Sequence, residues 1–393
     1  MIDRARLAKL MAIEDKRFLK IHPKSGELFN QAKKNMPAGV PMSWMSKWPG
    51  AYPVFVEEAK GASFIDVDGN TYVDFCLGDT GSMTGHSPTA TVAAIKEQVG
   101  RGLSAMLPTQ DAAIVAGELA ERFNLPLWQF TVSATDANRH VIRYARLITG
   151  KSKIIIIDRC YHGSVDESFA TLDKKGNTVS REGNIGAPVD LNLTTRVVAF
   201  NDLSAMEKAL ANDDVAAILM EPAMTNVGIV LPESGYLLAV QGLAKKFGAL
   251  LIIDETHTIS VGPGGMTADL GLTPDFLTIG KAIGGGFPTG AFGMQQHIAD
   301  SIKRLVELEV IDTGGIGGTL AANALSLAAM RATLTKVLTK ENFDRMIKLG
   351  DRWADGVEKV IAKFDLPWTV NRLGARAEYM FSTTTPKNGR QAA

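Results

Sequence analysis

From about residue 86 the chain alternates short apolar runs with longer stretches whose apolar residues recur at helical spacing. The runs lie near Gln129-Phe130-Thr131-Val132, Lys153–Ile157, Arg196–Phe200, Val215–Met220, Leu250–Asp254 and Phe276–Ile279. Continuous apolar runs of that length predict strands buried on both faces. Repeated strand–helix units predict a mostly parallel sheet with helices on both sides, a doubly wound α/β architecture. Residues 1–35 mix charged and apolar positions, among them Leu7, Leu10, Met11 and Ile13, in an amphipathic helical pattern suited to packing on a partner subunit. Residues 50–75 predict short strands at Tyr52–Val56, Ala62–Val67 and Tyr72–Phe75, with Asp68-Gly69 as a hairpin turn. Residues 320–365 predict helix. The expected organisation is an N-terminal helical segment (1–35), the first part of a smaller domain (36–85), a large domain (86–325), and the return to the smaller domain (326–393).

The chemistry-bearing residues gather at predicted strand ends, where α/β proteins bind ligands. Asp254 closes the run Ala249–Asp254. Lys281 follows Thr278-Ile279-Gly280 and precedes Gly284-Gly285-Gly286, which places it at a strand end or tight turn. A buried acid paired with a loop lysine suits pyridoxal phosphate, which needs an amine for a Schiff base and an acid to keep its ring nitrogen protonated. Ser133-Ala134-Thr135-Asp136 ends one strand and opens a helix, where free N–H groups and the helix dipole suit a phosphate; a plain N-cap fits the same residues. Tyr161, within Asp158-Arg159-Cys160-Tyr161-His162-Gly163, can stack on a planar ring or simply pack in a surface loop. Glu221-Pro222 places another carboxylate at a strand edge. Asp254-Glu255-Thr256-His257 does not predict a metal site, because adjacent side chains of an extended chain point to opposite faces. The glycine-rich segments fail both nucleotide patterns: position 320 is leucine where the dinucleotide motif needs glycine, and Gly280-Lys281 lacks the P-loop spacing.

Charge and cysteine content narrow the class. Forty-two basic residues balance 42 acidic ones, so nothing favours nucleic acid or an anionic membrane surface. Two cysteines in 393 residues argue against a disulfide scaffold and fit a reducing cytoplasm. No apolar run reaches membrane-spanning length, and no secretory hydrophobic region follows the N-terminus.

Taken together, these segments resemble the class III, pyridoxal-phosphate-dependent aminotransferases of fold type I, a family that includes glutamate-1-semialdehyde aminomutase. The resemblance covers roughly residues 35–330. It rests on Met36–Val40, Asp66–Asn70, Gly85–Pro88, Ser133–Ala137, Tyr161–Gly163, Glu221-Pro222 with Asn226–Pro232, Asp254-Glu255, Lys281 with its glycines, and Gly318-Thr319. It implies a mostly parallel seven-stranded sheet and a smaller α+β domain. It also implies that Lys281 carries pyridoxal 5'-phosphate and shuttles protons while Asp254 pairs with the ring nitrogen. Tyr161 would stack on the ring, and Ser133, Ala134 and Thr135 would cradle the phosphate. His162, Glu221 and Thr256 would line the cofactor site. Thr319 would come from the other subunit of a homodimer. Met42, Trp44, Asp79 and Asn226 would lie toward the substrate.

The departures concern specificity. The family's Ser-Gly-Thr-Glu-Ala is here Ser133-Ala134-Thr135-Asp136-Ala137, and Ala134 is strained if its φ is positive. Asp-Glu-Val with Thr-Gly-Phe-Arg becomes Asp254-Glu255-Thr256-His257-Thr258-Ile259-Ser260, which lacks the arginine. Position 42, an arginine in relatives acting on β-amino acids, is methionine. Asp79 stands where relatives often carry an aromatic residue. It suggests a pocket for a neutral or cationic group, or else the cap of the turn Thr80-Gly81-Ser82. The sequence ends at Ala393, short of the family's last strands and helix. The expected activity is aminotransfer between an amine or amino acid and a keto or aldehyde acceptor. A 2,1-aminomutase or amino-acid racemase is the alternative, and a non-catalytic relative or a nicotinamide dehydrogenase fits the motifs less well.

Overall fold

The computed structural model describes residues 3–307 and 310–393. The chain divides into two compact units. The first runs through Leu77 and includes Gly85–Ser87. It holds helices Arg4–Ile21 and Pro23–Ala32 and an antiparallel sheet of β1 (Val56–Lys60), β2 (Ser63–Asp66) and β3 (Thr71–Val73). Strand β1 begins later than the run Tyr52–Val56 predicts, because Pro53 has no N–H to give to a ladder. Asp68, in the β2–β3 turn, accepts hydrogen bonds from the backbone N–H groups of Lys24 and Ser25, which ties the sheet to the second helix. The first helix buries none of its residues: Leu7, Leu10, Met11 and Ile13 are all exposed.

The second unit comprises Gly78–Thr84 and Pro88–Ala393. Its strands are β4 (Leu127–Thr131), β5 (Lys153–Ile157), β6 (Ala170–Leu172), β7 (Thr178–Ser180), β8 (Thr195–Val198), β9 (Val215–Met220), β10 (Leu250–Asp254), β11 (Phe276–Gly280), β12 (Gly290–Met294), β13 (Thr369–Leu373) and β14 (Arg376–Met380). Seven form one sheet in the order β4-β12-β11-β10-β9-β5-β8. Strand β12 runs antiparallel to both neighbours, and the other pairings are parallel. Ile154–Ile157 of β5 and all of β9 are buried, and each fully buried isoleucine or leucine among them contributes about 1.5–3 kcal/mol. Helix Ala134–Thr149 packs on the sheet through Ala137, Val141, Ile142 and Ala145.

Strand β12 is absent from the pattern reading because Gly290-Ala-Phe-Gly-Met is glycine-rich, which ordinarily argues against a strand. Close packing explains it. A Cβ on Gly293 would lie 2.6 Å from the Trp128 ring, and one on Gly290 would collide with the Ser133 carbonyl. The hairpin β13–β14 and helix Lys340–Lys363 close the chain, before a last short helix at Gly389–Ala392. Ser260 holds the hairpin: its hydroxyl donates to the Leu373 carbonyl at 2.9 Å, and its carbonyl accepts from Ala375 N at 2.9 Å. Among the described residues no helix is long and apolar enough to cross a membrane.

Candidate active site

Strands β9, β10 and β11 are parallel neighbours, so Glu221, Asp254 and Lys281 come to one edge of the sheet. Lys281 directly follows β11 with φ 48°, in the left-handed region that a non-glycine residue seldom occupies. Gly280 before it lets the backbones approach: a Cβ there would touch Ala134 Cβ at 3.0 Å. The end of β11 therefore abuts the start of helix Ala134–Thr149. A cavity of about 360 Å³ opens at this junction, lined by Ser133, Ala134, Thr135, Tyr161, His162, Gly163, Glu221, Asp254, Thr256, His257 and Lys281, among others.

Asp254 is 4% exposed and fully ringed by donors. It accepts from His162 Nδ1 at 2.9 Å, from Asn138 Nδ2 at 2.9 Å and from Thr256 N at 3.1 Å. Burial alone would raise its pKa; the bonds from His162, Thr256 and Asn138 outweigh that and bring it down to about 2. Burial resists charge on His162, but Cys160 beside it and Asp254 prevail and raise its pKa. Asn138 is itself fixed by Thr278, whose hydroxyl donates to Asn138 Oδ1 at 2.7 Å. Glu255 faces away, accepting from Thr258, Met266 and Thr267, so the two adjacent acids do not converge. Glu221 has one donor, the Thr225 hydroxyl, and burial pushes its pKa up to about 7.

Lys281 Nζ lies 2.8 Å from Asp79 Oδ2 and 2.8 Å from His257 Nε2. His257 Nδ1 meets Thr80 Oγ1 at 2.8 Å and Arg376 Nη1 at 2.9 Å. Burial and Lys281, with Arg376 adding to them, lower the His257 pKa to about 4 against the pull of Asp79. Among the described residues no group of three or more His, Cys, Asp or Glu is placed to hold a metal ion.

A family model of the class-III aminotransferases matches residues 44–391. The chain belongs to that family. Class III aminotransferases are pyridoxal-phosphate-dependent enzymes of fold type I, and the seven-stranded sheet matches that fold. Glutamate-1-semialdehyde 2,1-aminomutase 2 of Halalkalibacterium halodurans is 34% identical over 377 residues, 94% of this chain and 86% of that protein. The crystal structure of a glutamate-1-semialdehyde-aminomutase from Pseudomonas aeruginosa PAO1 superposes with a TM-score of 0.96 at 46% identity, covering 100% of this chain and 87% of that one. An omega-transaminase from Sphaerobacter thermophilus superposes at 0.85 with 29% identity, covering 94% and 85%.

The class III cofactor fits the residues present. Four residues lining the cavity carry a buried polar atom with no partner among the described residues: His162 Nε2, Glu221 Oε1, Thr256 Oγ1 and Thr289 Oγ1. A Cβ at Gly163 would collide with Thr135 Oγ1, so glycine is needed beside the helix start. Ser133 caps that helix, its hydroxyl accepting from Asp136 N, and Ala134 has negative φ, so the Ala-for-Gly departure carries no strain. Tyr161 is half exposed at the rim. Asn226 donates to the Arg159 carbonyl at 3.3 Å and does not line the cavity. Thr319 lies on an exposed turn. Met42 and Trp44 belong to the first unit, in and beside the short turn Ser43–Lys47, both exposed. Three residues were missed by motif reading. Asn138 is hidden inside a helix and Arg376 lies 95 positions beyond Lys281; His257 gave a signal only as a loop histidine.

Proposed function

We propose that this chain moves an amino group between an amine or amino acid and a carbonyl acceptor, with Lys281 and Asp254 at its centre. One observation carries the reading: a lysine and a carboxylate held anionic at neutral pH reach one cavity from adjacent parallel strands. Pyridoxal phosphate, when bound, supplies an electron sink for the carbon that loses its proton. Lys281 would hold the cofactor and, when released, move the proton at the substrate carbon. Asp254 would keep the ring nitrogen protonated, its own position set by His162 and Asn138. The N–H groups at the start of helix Ala134–Thr149 would bind the phosphate, and Tyr161 would cover the ring face. Thr319, exposed in its own chain, would donate to the phosphate of a partner subunit. The exposed apolar face of helix Arg4–Ile21 supports a homodimer. The unpaired Cys76 and Cys160 support a cytoplasmic setting.

Identity of 46% along the whole chain to a glutamate-1-semialdehyde-aminomutase favours a second reading, the intramolecular 2,1 shift. Incubation with glutamate-1-semialdehyde alone separates the two. Conversion without an acceptor supports the shift. Keto product appearing in step with an added acceptor supports transfer. Lys281→Ala tests what both share. Turnover should vanish while cofactor still binds through Asp254 and the helix start; wild-type rates in this variant would refute the assignment.

A further inference from the structure

The backbone after β3 winds in the left-handed sense. Leu77, Gly78, Asp79 and Thr80 have φ of 47°, 61°, 49° and 76°, four consecutive residues in that region. Gly78 adopts it freely; for leucine, aspartate and β-branched threonine it is costly. Strain of this kind gathers where side chains must be placed for function. Here it delivers two adjacent side chains to the lysine end of the cavity. Thr80 Oγ1 lies 2.8 Å from His257 Nδ1, and Lys281 Nζ donates to Asp79 Oδ2 at 2.8 Å. Among the described residues the Asp79 carboxylate takes its hydrogen bond from Lys281 and none from an N–H of its own turn.

Asp79 and Lys281 form an ion pair. Burial acts to raise the Asp79 pKa, but the positive charges of His257 when protonated, of Lys281 and of Arg376 outweigh it and bring it down, so Asp79 is an anion at neutral pH. Arg376 is 3.7 Å from Asp79 Oδ1 and nearer, at 2.8 Å, to Glu378, which leaves Lys281 as the cation Asp79 holds. The contact belongs to a free lysine, whose ammonium has three N–H donors. We propose that Asp79 receives Lys281 whenever the lysine is not bonded to the cofactor, holding it as an ammonium ion at the cavity edge and thereby opposing the bond between Lys281 and the cofactor. Asp79 is a positioning residue, and this role rests on the assignment of Lys281 above.

Two forms of the cofactor separate the two states of Lys281 without turnover. With pyridoxamine phosphate, which has no carbonyl, Lys281 stays free and keeps its pair with Asp79. With pyridoxal phosphate, Nζ joins the carbonyl carbon, two ammonium protons leave with the carbonyl oxygen as water, and the pair is lost. Equilibrium dialysis of the full chain against each should therefore show that Asp79→Asn favours pyridoxal phosphate. Its affinity relative to pyridoxamine phosphate should rise by about threefold, what an exposed ion pair is worth. A general change of charge in the site acts on the phosphate of both forms and cancels in the ratio. Asparagine tolerates the left-handed backbone as aspartate does, so the fold is kept. An unchanged ratio, or one shifted toward pyridoxamine phosphate, overturns the proposal. Asp79→Glu keeps the anion and should keep the wild-type ratio; the ratio of Asp79→Asn in that variant would overturn the ion-pair role. In a Lys281→Ala background Asp79→Asn should leave the ratio where it was, since the pair is already gone, and a shift that persists there overturns the proposal too. Failure of the Lys281 assignment has a different signature: Lys281→Ala then keeps the visible absorbance band of the loaded wild type and its sensitivity to borohydride.

Discussion

Asp254 and Glu221 end neighbouring parallel strands, both are buried, and both line one cavity, yet their protons behave in opposite ways. Asp254 has three donors and is pulled down to about 2. Among the described residues Glu221 has only Thr225 as a donor and its Oε1 has no partner; it is pushed up to about 7. Burial acts on both in the same direction, toward the neutral acid. The number of donors aimed at each carboxylate decides the outcome. One sheet edge thus offers a permanent anion and, beside it, an acid that exchanges its proton near neutral pH.

The largest effect should come from removing the anion. Asp254→Asn keeps the shape and the Thr256 contact but cannot stabilise a protonated ring. Turnover should fall ~10²-fold or more, as when one preorganised electrostatic partner is lost. A near-normal rate in steady-state assays would erase the functional contrast between the two acids.

Glu221→Gln sharpens the contrast through stability. The folded pKa of Glu221 is raised, so its stability contribution is full below pH 4.5 and is lost as pH rises through about 7. The variant should remove that loss, a gain on the order of 2–3 kcal/mol at pH 8 and little change at pH 4. Asp254 has the reverse sign: its contribution is present above pH 3.8 and lost as pH falls toward 2. Denaturant melts of variant and wild type at both ends of the range check this, and equal differences at pH 4 and 8 would contradict it.

The smallest effect asks whether the site is confined to one chain. Thr319→Ala should weaken cofactor binding by roughly 1–2 kcal/mol, one hydrogen bond to a charged group. Dilution to monomers should abolish the difference between variant and wild type. A difference that persists in monomers would count against a shared phosphate site.

The buried strands were legible where composition and packing agree. Val215–Met220 and Leu250–Asp254 match the observed strands residue for residue, because a two-face-buried parallel strand needs an unbroken apolar run. Lys281 and Asp254 were legible because both sit at the ends of such runs. Strand β12 was not, since its glycines answer to the neighbouring Trp128 ring and Ser133 carbonyl. Asn138 looked like an ordinary helix residue until folding placed Asp254 and Thr278 on either side of it.

The sequence by itself determined the βα order, the lysine and the carboxylate each at a strand end, the small residues at the helix start, and with them the family. These are local properties: period, run length and the residue that ends a run. The tertiary structure alone decided the protonation states and the company each group keeps. It placed His162 and Asn138 on Asp254, left Glu221 with one donor, and brought Arg376 from the far end of the chain to His257. Proton affinity depends on distances of about 3 Å between groups far apart in sequence, and no local pattern carries that information.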